Sequence, residues 1–207
     1  MARTLPPIFI GTNRYVAALH PRTGAEIWRT RLPHAMSAIV AVIVDSAYLY
    51  VGHSGYVYCL DKRLGSILWE NGLTGLGYGP VMLTTEPDAS SQTKQLYVGT
   101  SRHVAALSAA SGQELWRTKL PYSGGTIISL LVGPDRIYAG CSGRAYALDK
   151  RHGAIQWENG LPRMGYHTVI VAREGMLDSN YAVAGAALAA QQAAAAAAGG
   201  GAAAAGS

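Results

Sequence analysis

The chain is short of charge, of cysteine and of phenylalanine. Charged residues fill 14% of its 207 positions while 49% are hydrophobic, a composition that excludes a solvated or disordered segment. Only Cys59 and Cys141 carry thiols, too few for a disulfide-dense secreted scaffold. They fall at non-equivalent places in the repeat described below, which predicts buried free thiols. The basic residues behind the net charge of +5 are scattered, with Lys62-Arg63 and Lys150-Arg151 the only adjacent pairs. A nucleic-acid partner is therefore not expected. No apolar run of signal-peptide type follows Arg3, so a cytoplasmic location is the expectation. Residues 182–207 lack charge altogether, yet they are almost wholly Ala and Gly with Leu188 the one large side chain. Alanine is too weakly apolar to hold a membrane span, and this stretch reads as a low-complexity tail.

What the sequence does hold is repetition. One Phe stands against 12 Tyr and 4 Trp, and the four Trp fall at 28, 69, 116 and 157. Each closes one short pattern. Ala18-Leu19-His20 leads through Gly24 to Trp28, and Cys59-Leu60-Asp61 leads through Gly65 to Trp69. Ala106-Leu107-Ser108 leads through Gly112 to Trp116, and Ala147-Leu148-Asp149 leads through Gly153 to Trp157. A longer period of 88 residues lies over the short one and superimposes Ile8–Val81 on Leu96–Val169 without a gap. Trp69-Glu70-Asn71-Gly72-Leu73, for example, meets Trp157-Glu158-Asn159-Gly160-Leu161. The chain is a duplicated two-unit ancestor, with units spanning about 8–95 and 96–173.

Each half of a unit reads as four short strands. Ile8–Ile10, Tyr48–Val51, Leu96–Val98 and Ile137–Ala139 are β-branched or aromatic runs ended by Gly. An alternating segment such as Tyr56–Leu60 follows and enters the Gly turn, after which comes a strand carrying the Trp. A further apolar strand is expected at Ala38–Val44, Val81–Thr84, Thr126–Val132 and Thr168–Val171. Four strands per repeat of about 44 residues, with a Trp at a fixed place, predict β-propeller blades over residues 1–181.

The pattern Ala-Leu-Asp-x-x-x-Gly-x-x-x-Trp resembles the repeat of PQQ-like, quinoprotein-type β-propellers, over residues 8–172. That group includes quinoprotein alcohol dehydrogenases and a propeller lipoprotein of the bacterial outer-membrane assembly machine. Asp61 and Asp149 match the family pattern, while His20 and Ser108 replace the Asp in the first and third blades. The resemblance implies structural roles for the motif: each Trp packs between neighbouring blades, and the turn with Gly24, Gly65, Gly112 or Gly153 closes the outer hairpin.

The strand count runs three, four, four, four and one, because nothing before Ile8 serves as an inner strand of the first blade. The spare strand at His167–Ala172 must cover the orphan three-stranded sheet. It can do so in its own chain, giving a closed four-bladed monomer, or in a second copy, giving an eight-bladed ring from a homodimer. The resembling family closes with about seven or eight blades, and blade wedge is encoded in each unit. The homodimer is the expectation.

Function is less legible. The resembling enzymes hold their cofactor between a Trp and a disulfide of adjacent cysteines, with calcium on acidic and amide groups. This chain has no adjacent Cys pair and almost no carboxylate in the loops that face the axis. Glu70 and Glu158 alternate with Arg29 and Arg117 at equivalent positions, a pattern suited to ion pairs between blades. His20, His53, His103 and His152 lack zinc-ligand spacing, and no nucleophile elbow or phosphate loop occurs. No catalytic residue, metal or cofactor is assigned. The expected function is a non-catalytic scaffold that binds a protein or peptide through its axial-face loops. The alternative is a small-ligand or glycan-binding propeller, and a quinoprotein-type oxidoreductase is a distant third. The candidate contacts are His34, Tyr78, Tyr122, Arg163, Tyr166 and His167, in Gly-rich loops following the Trp strands. The competing assignment packs Tyr78 and Tyr166 between blades.

Overall fold

The computed structural model describes residues 5–34, 40–46, 48–86, 94–122 and 127–174. The tail at 182–207 and the loop residues Ala35, Met36, Ser123, Gly124 and Gly125 lie outside the described residues. Fifteen strands and no helix occur among those described. They fall into four antiparallel sheets whose strand order in space is their order in the chain.

The first sheet has three strands, β1 (Ile8–Thr12), β2 (Tyr15–Leu19) and β3 (Glu26–Arg31). The second comprises β4 (Ala41–Val44), β5 (Tyr48–His53), β6 (Tyr56–Asp61) and β7 (Ile67–Asn71). The third comprises β8 (Met82–Thr85), β9 (Gln95–Thr100), β10 (His103–Ser108) and β11 (Glu114–Lys119). The fourth comprises β12 (Ser129–Val132), β13 (Arg136–Cys141), β14 (Arg144–Asp149) and β15 (Ile155–Asn159). The inner strands β4, β8 and β12 pack in sequence beside one another, with β1 beside β4, and the Trp strands lie outermost. This is a propeller arc of four blades. The pairing of the third strand with the outer one slips by a residue at the same place in every blade, after Ala18, Cys59, Ala106 and Ala147. A bulge copied four times is a property of the repeat.

The hairpin before each Trp closes in the same way. Gly65 N donates to Asp61 O at 2.8 Å and Asp61 N to Ser66 O at 2.9 Å, which holds Gly65 at φ +72°. The Asp61 carboxylate adds a cap: Oδ1 accepts from Arg63 N at 2.7 Å and from Leu64 N at 2.8 Å. Asp149 Oδ1 does the same for Arg151 N at 2.9 Å and His152 N at 2.8 Å. The backbone N–H of His152 is the main reason the Asp149 carboxyl lies below the usual range.

The joints between blades repeat too. Trp28 Nε1 donates to Lys62 O at 3.0 Å, Trp69 Nε1 to Ala109 O at 3.1 Å and Trp116 Nε1 to Lys150 O at 3.2 Å. Each indole lies flat on the Gly of the next turn. A Cβ on Gly65 would stand 2.5 Å from Trp28 Cε3, and Gly112 and Gly153 meet Trp69 and Trp116 in the same way. Glycine there supplies both the positive φ and the missing Cβ. The core follows these joints as three apolar clusters, one between each successive pair of blades. Cys59 and Cys141 are buried and free, the state predicted for them.

Two sequence expectations are corrected. Thr168–Val171 forms no strand. A ladder needs a pairing strand, and none among the described residues pairs with that segment. Val169 nevertheless sits where the next inner strand would begin. Its carbonyl accepts from Ser129 Oγ at 2.5 Å, and it faces Gly140 as Val81 faces Gly52. The expected ion pairs between Arg29 or Arg117 and the Glu of a neighbouring blade are also replaced by local ones. Arg29 pairs with Glu26 and Arg117 with Glu114, each three residues away along the same strand and at 2.5 Å. The short separation costs less side-chain entropy than a reach between blades. Lysine pairs do cross joints among the described residues: Lys94–Asp45 at 2.9 Å and Lys150–Glu86 at 2.5 Å.

Candidate functional site

In an up-and-down sheet, the turn joining the second and third strands opens at the same end as the connection leading to the next blade. The structure builds its candidate site from both. Arg14 in the β1–β2 turn, Arg31 at the end of β3, Pro33 and His34 beyond it, Tyr56 at the start of β6 and Tyr78 after β7 line an open cavity of about 620 Å³. Leu32, buried beneath them, anchors the wall: its N–H donates to Arg14 O at 2.8 Å. The Tyr58 hydroxyl donates to Pro33 O and ties the loop to the second blade. Burial, with help from Glu70, pushes that phenol above its ordinary range, so it remains a donor.

His34 has φ +58° and stacks on Tyr56 at 4.9 Å between ring centroids and 14° between planes. Its Nε2 lies 3.7 Å from Glu70 Oε1. Arg14 and Arg31 are exposed, with no ion pair among the described residues. Two free cations and the rings of Tyr56 and Tyr78 therefore surround one opening.

The architecture recurs 88 residues on. Tyr122, φ +56°, replaces His34 and lies over Arg144, which replaces Tyr56, with the guanidinium 4.5 Å from the ring centroid. Arg144 Nη1 donates to Glu158 Oε1 at 3.0 Å, where Glu158 corresponds to Glu70. The Tyr146 hydroxyl donates to Pro121 O as Tyr58 does to Pro33 O, and burial raises its pKa to about 12. Stacked pair, carboxylate and anchoring phenol are kept while the stacked partners change.

Of the six candidate contacts, His34 and Tyr78 share the cavity, and Tyr122 and Tyr166 occupy the corresponding places in the second unit. Tyr78 is 66% exposed and Tyr166 86%, so neither is buried between blades. Arg163 (φ +69°) and His167 lie in the loop after β15, outside the cavity. The His167 carbonyl accepts from Gly143 N at 2.7 Å, a structural bond matching Gly55 N to Gly79 O. Sequence reading missed Arg14, Arg31 and Tyr56. Strand direction alone would have placed their turns and strand ends on the same face.

Residues 12–200 match a family model described as outer membrane protein assembly factor BamB, of PQQ-like repeat type. The chain belongs to this PQQ-like repeat family. Among solved structures it is similar to BamB from Moraxella catarrhalis at a TM-score of 0.56 and 18% identity, covering 76% of this chain and 50% of that one. The computationally designed Ika8 protein gives 0.59 and 19%, with coverage of 80% and 48%. The quinohemoprotein alcohol dehydrogenase of Comamonas testosteroni gives 0.55 and 17%, with coverage of 74% and 34%. The chain thus spans half or less of the length of these relatives. No curated protein sequence matches it.

Quinone chemistry does not fit the side chains present. The two cysteines are buried and separate, and the four indoles belong to the blade motif on outer strands. Among the described residues no group of three or more His, Cys, Asp or Glu is placed to hold a metal ion.

Proposed function

We propose that this chain is a non-catalytic binding propeller that takes an acidic segment of a protein partner on the face bearing Arg14, Arg31, His34, Tyr56 and Tyr78. The observation that carries the reading is the pair of guanidinium groups, without an ion pair among the described residues, beside the exposed Tyr78 ring and the half-buried Tyr56 ring in one cavity. Arginine suits carboxylates because its planar donors engage both oxygens, and tyrosine adds contact area at low entropic cost. The family's own description, an assembly factor, agrees with a protein ligand. A second copy of the chain is included among the partners. The glycan reading draws on Tyr78 and Tyr166, whose exposed rings suit sugar faces.

Calorimetric titration with poly-L-glutamate, with neutral oligosaccharides as the comparison, separates the two. The acidic polymer is expected to bind, weaken as salt rises, and lose about tenfold in affinity in Arg14→Ala/Arg31→Ala. Binding unaffected by that double change would refute the site. Oligosaccharide binding abolished by Tyr78→Ala/Tyr166→Ala, without response to poly-L-glutamate, would replace the reading with the glycan one.

A further inference from the structure

Three of the four indoles have a seat on the next blade, and the fourth does not. Trp157 is 40% exposed, and its Nε1 has no acceptor among the described residues. Every residue of β15 is exposed. At the other end of the arc, the turn at Gly24 has φ +69° like its three counterparts, but the space above its missing Cβ is empty. Those three counterparts each carry an indole. Trp157 lacks a turn, and Gly24 lacks a tryptophan.

The 88-residue repeat makes these two faces complementary. The trailing face of the fourth blade is the sequence copy of the second blade's trailing face, whose partner is visible as the third blade. The leading face of the first blade is the copy of the third blade's leading face. Leu96 and Val98 are fully buried in the joint between the second and third blades, whereas their counterparts Ile8 and Ile10 are 50% and 41% exposed. Asn71 Nδ2 donates to Gly112 O at 2.7 Å across that joint. Its counterpart Asn159 already caps Leu161 N through Oδ1 at 2.8 Å, as Asn71 caps Leu73 N, and its amide NH₂ has no acceptor among the described residues. Tyr138 backs Trp157 at the 6.1 Å spacing with which Tyr50 backs Trp69. Val169 already sits at the position from which Val81 leads into β8.

We infer that the occupant of both faces is a second copy of this chain, and that two copies close into one eight-bladed ring about a two-fold axis. Trp157 of each copy lies on Gly24 of the other, with Nε1 donating to Pro21 O and Asn159 Nδ2 donating to Gly24 O. Residues 170–173 become the inner strand beside β1, in the register that β8 holds against β9, so Ile170 faces Gly11. Head-to-tail faces generate either a closed ring or an open filament. Closure is favoured here because the four sheets superimpose on half of a longer propeller, which is the geometry of an arc. The inference extends the self-association named above and is independent of the acidic ligand.

Gel filtration with light scattering tests it. The unaltered chain is expected at twice its 21.7 kDa mass, and Gly24→Asn at 21.7 kDa with unchanged β-sheet circular dichroism. Asparagine tolerates positive φ, and its Cβ meets nothing within 4 Å in the single chain but falls where the Trp157 indole lies in the ring. Trp157→Ala should likewise halve the mass. A 21.7 kDa species for the unaltered chain, a species larger than two chains, or a dimer surviving both changes would each overturn the inference. Poly-L-glutamate titration of Gly24→Asn keeps the two proposals apart, since the cavity at Arg14 lies within one chain.

Discussion

At the scale of single residues, the fourfold turn shows how one side chain tunes a shared backbone. Asp61 accepts two backbone N–H groups at 2.7 and 2.8 Å. His20, at the same position, offers Nδ1 to Arg22 N at 3.3 Å, at the edge of useful hydrogen-bond length. An imidazole nitrogen presents one lone pair where a carboxylate oxygen can serve two donors. His20→Asp is therefore expected to stabilise the first blade by about 0.5 kcal/mol, read as a higher urea midpoint at pH 7. An unchanged or lower midpoint would mean that this turn is held by its backbone bonds alone.

At the scale of elements, the unit of cohesion is the joint between sheets. Trp116 spans the third joint: it packs tilted against Tyr97 at 6.2 Å between ring centroids, covers Gly153 and donates to Lys150 O. Trp116→Ala removes apolar contact and leaves that carbonyl without its donor, at a cost of about 3–5 kcal/mol. Equilibrium urea unfolding should show this loss. A cost below 1 kcal/mol, by order of magnitude, would show that the joint rests on its aliphatic cluster instead. The blade architecture was legible in the sequence because strand alternation and the Trp-to-turn spacing are local signals. The cavity was half legible. His34 and Tyr78 lie in loops marked by Gly and Pro, whereas Arg14, Arg31 and Tyr56 reach the site through strand direction, which a motif does not display.

At the scale of the whole molecule, stability depends on groups kept neutral inside the joints. Burial pushes the Cys59 thiol from 9.0 to about 12 and the Cys141 thiol to about 11. Burial also takes the Tyr146 phenol from 10.0 to about 12. Each pKa is raised in the folded state, so each contribution is complete below the unfolded value and is lost as pH rises towards the folded one. The urea midpoint is expected to hold from pH 7 to about pH 9 and then to fall steadily towards pH 11. A flat profile to pH 11 would contradict this. The free thiols should react with a disulfide reagent only as the sheets unfold, because both are buried.

The shortage of charge, cysteine and phenylalanine, set against four tryptophans that each close the same short motif, was enough for the sequence by itself to determine repetition, all-β class and blade number. These properties follow from side-chain periodicity and turn chemistry, which act over a few residues. Only the tertiary structure decided that three tryptophans are seated and Trp157 is not. Only it brought Arg14 and Arg31 to the same opening as Tyr78. Both outcomes depend on how successive sheets are rotated about a common axis. That rotation comes from packing between blades, summed over many side chains, and no single stretch of sequence carries it.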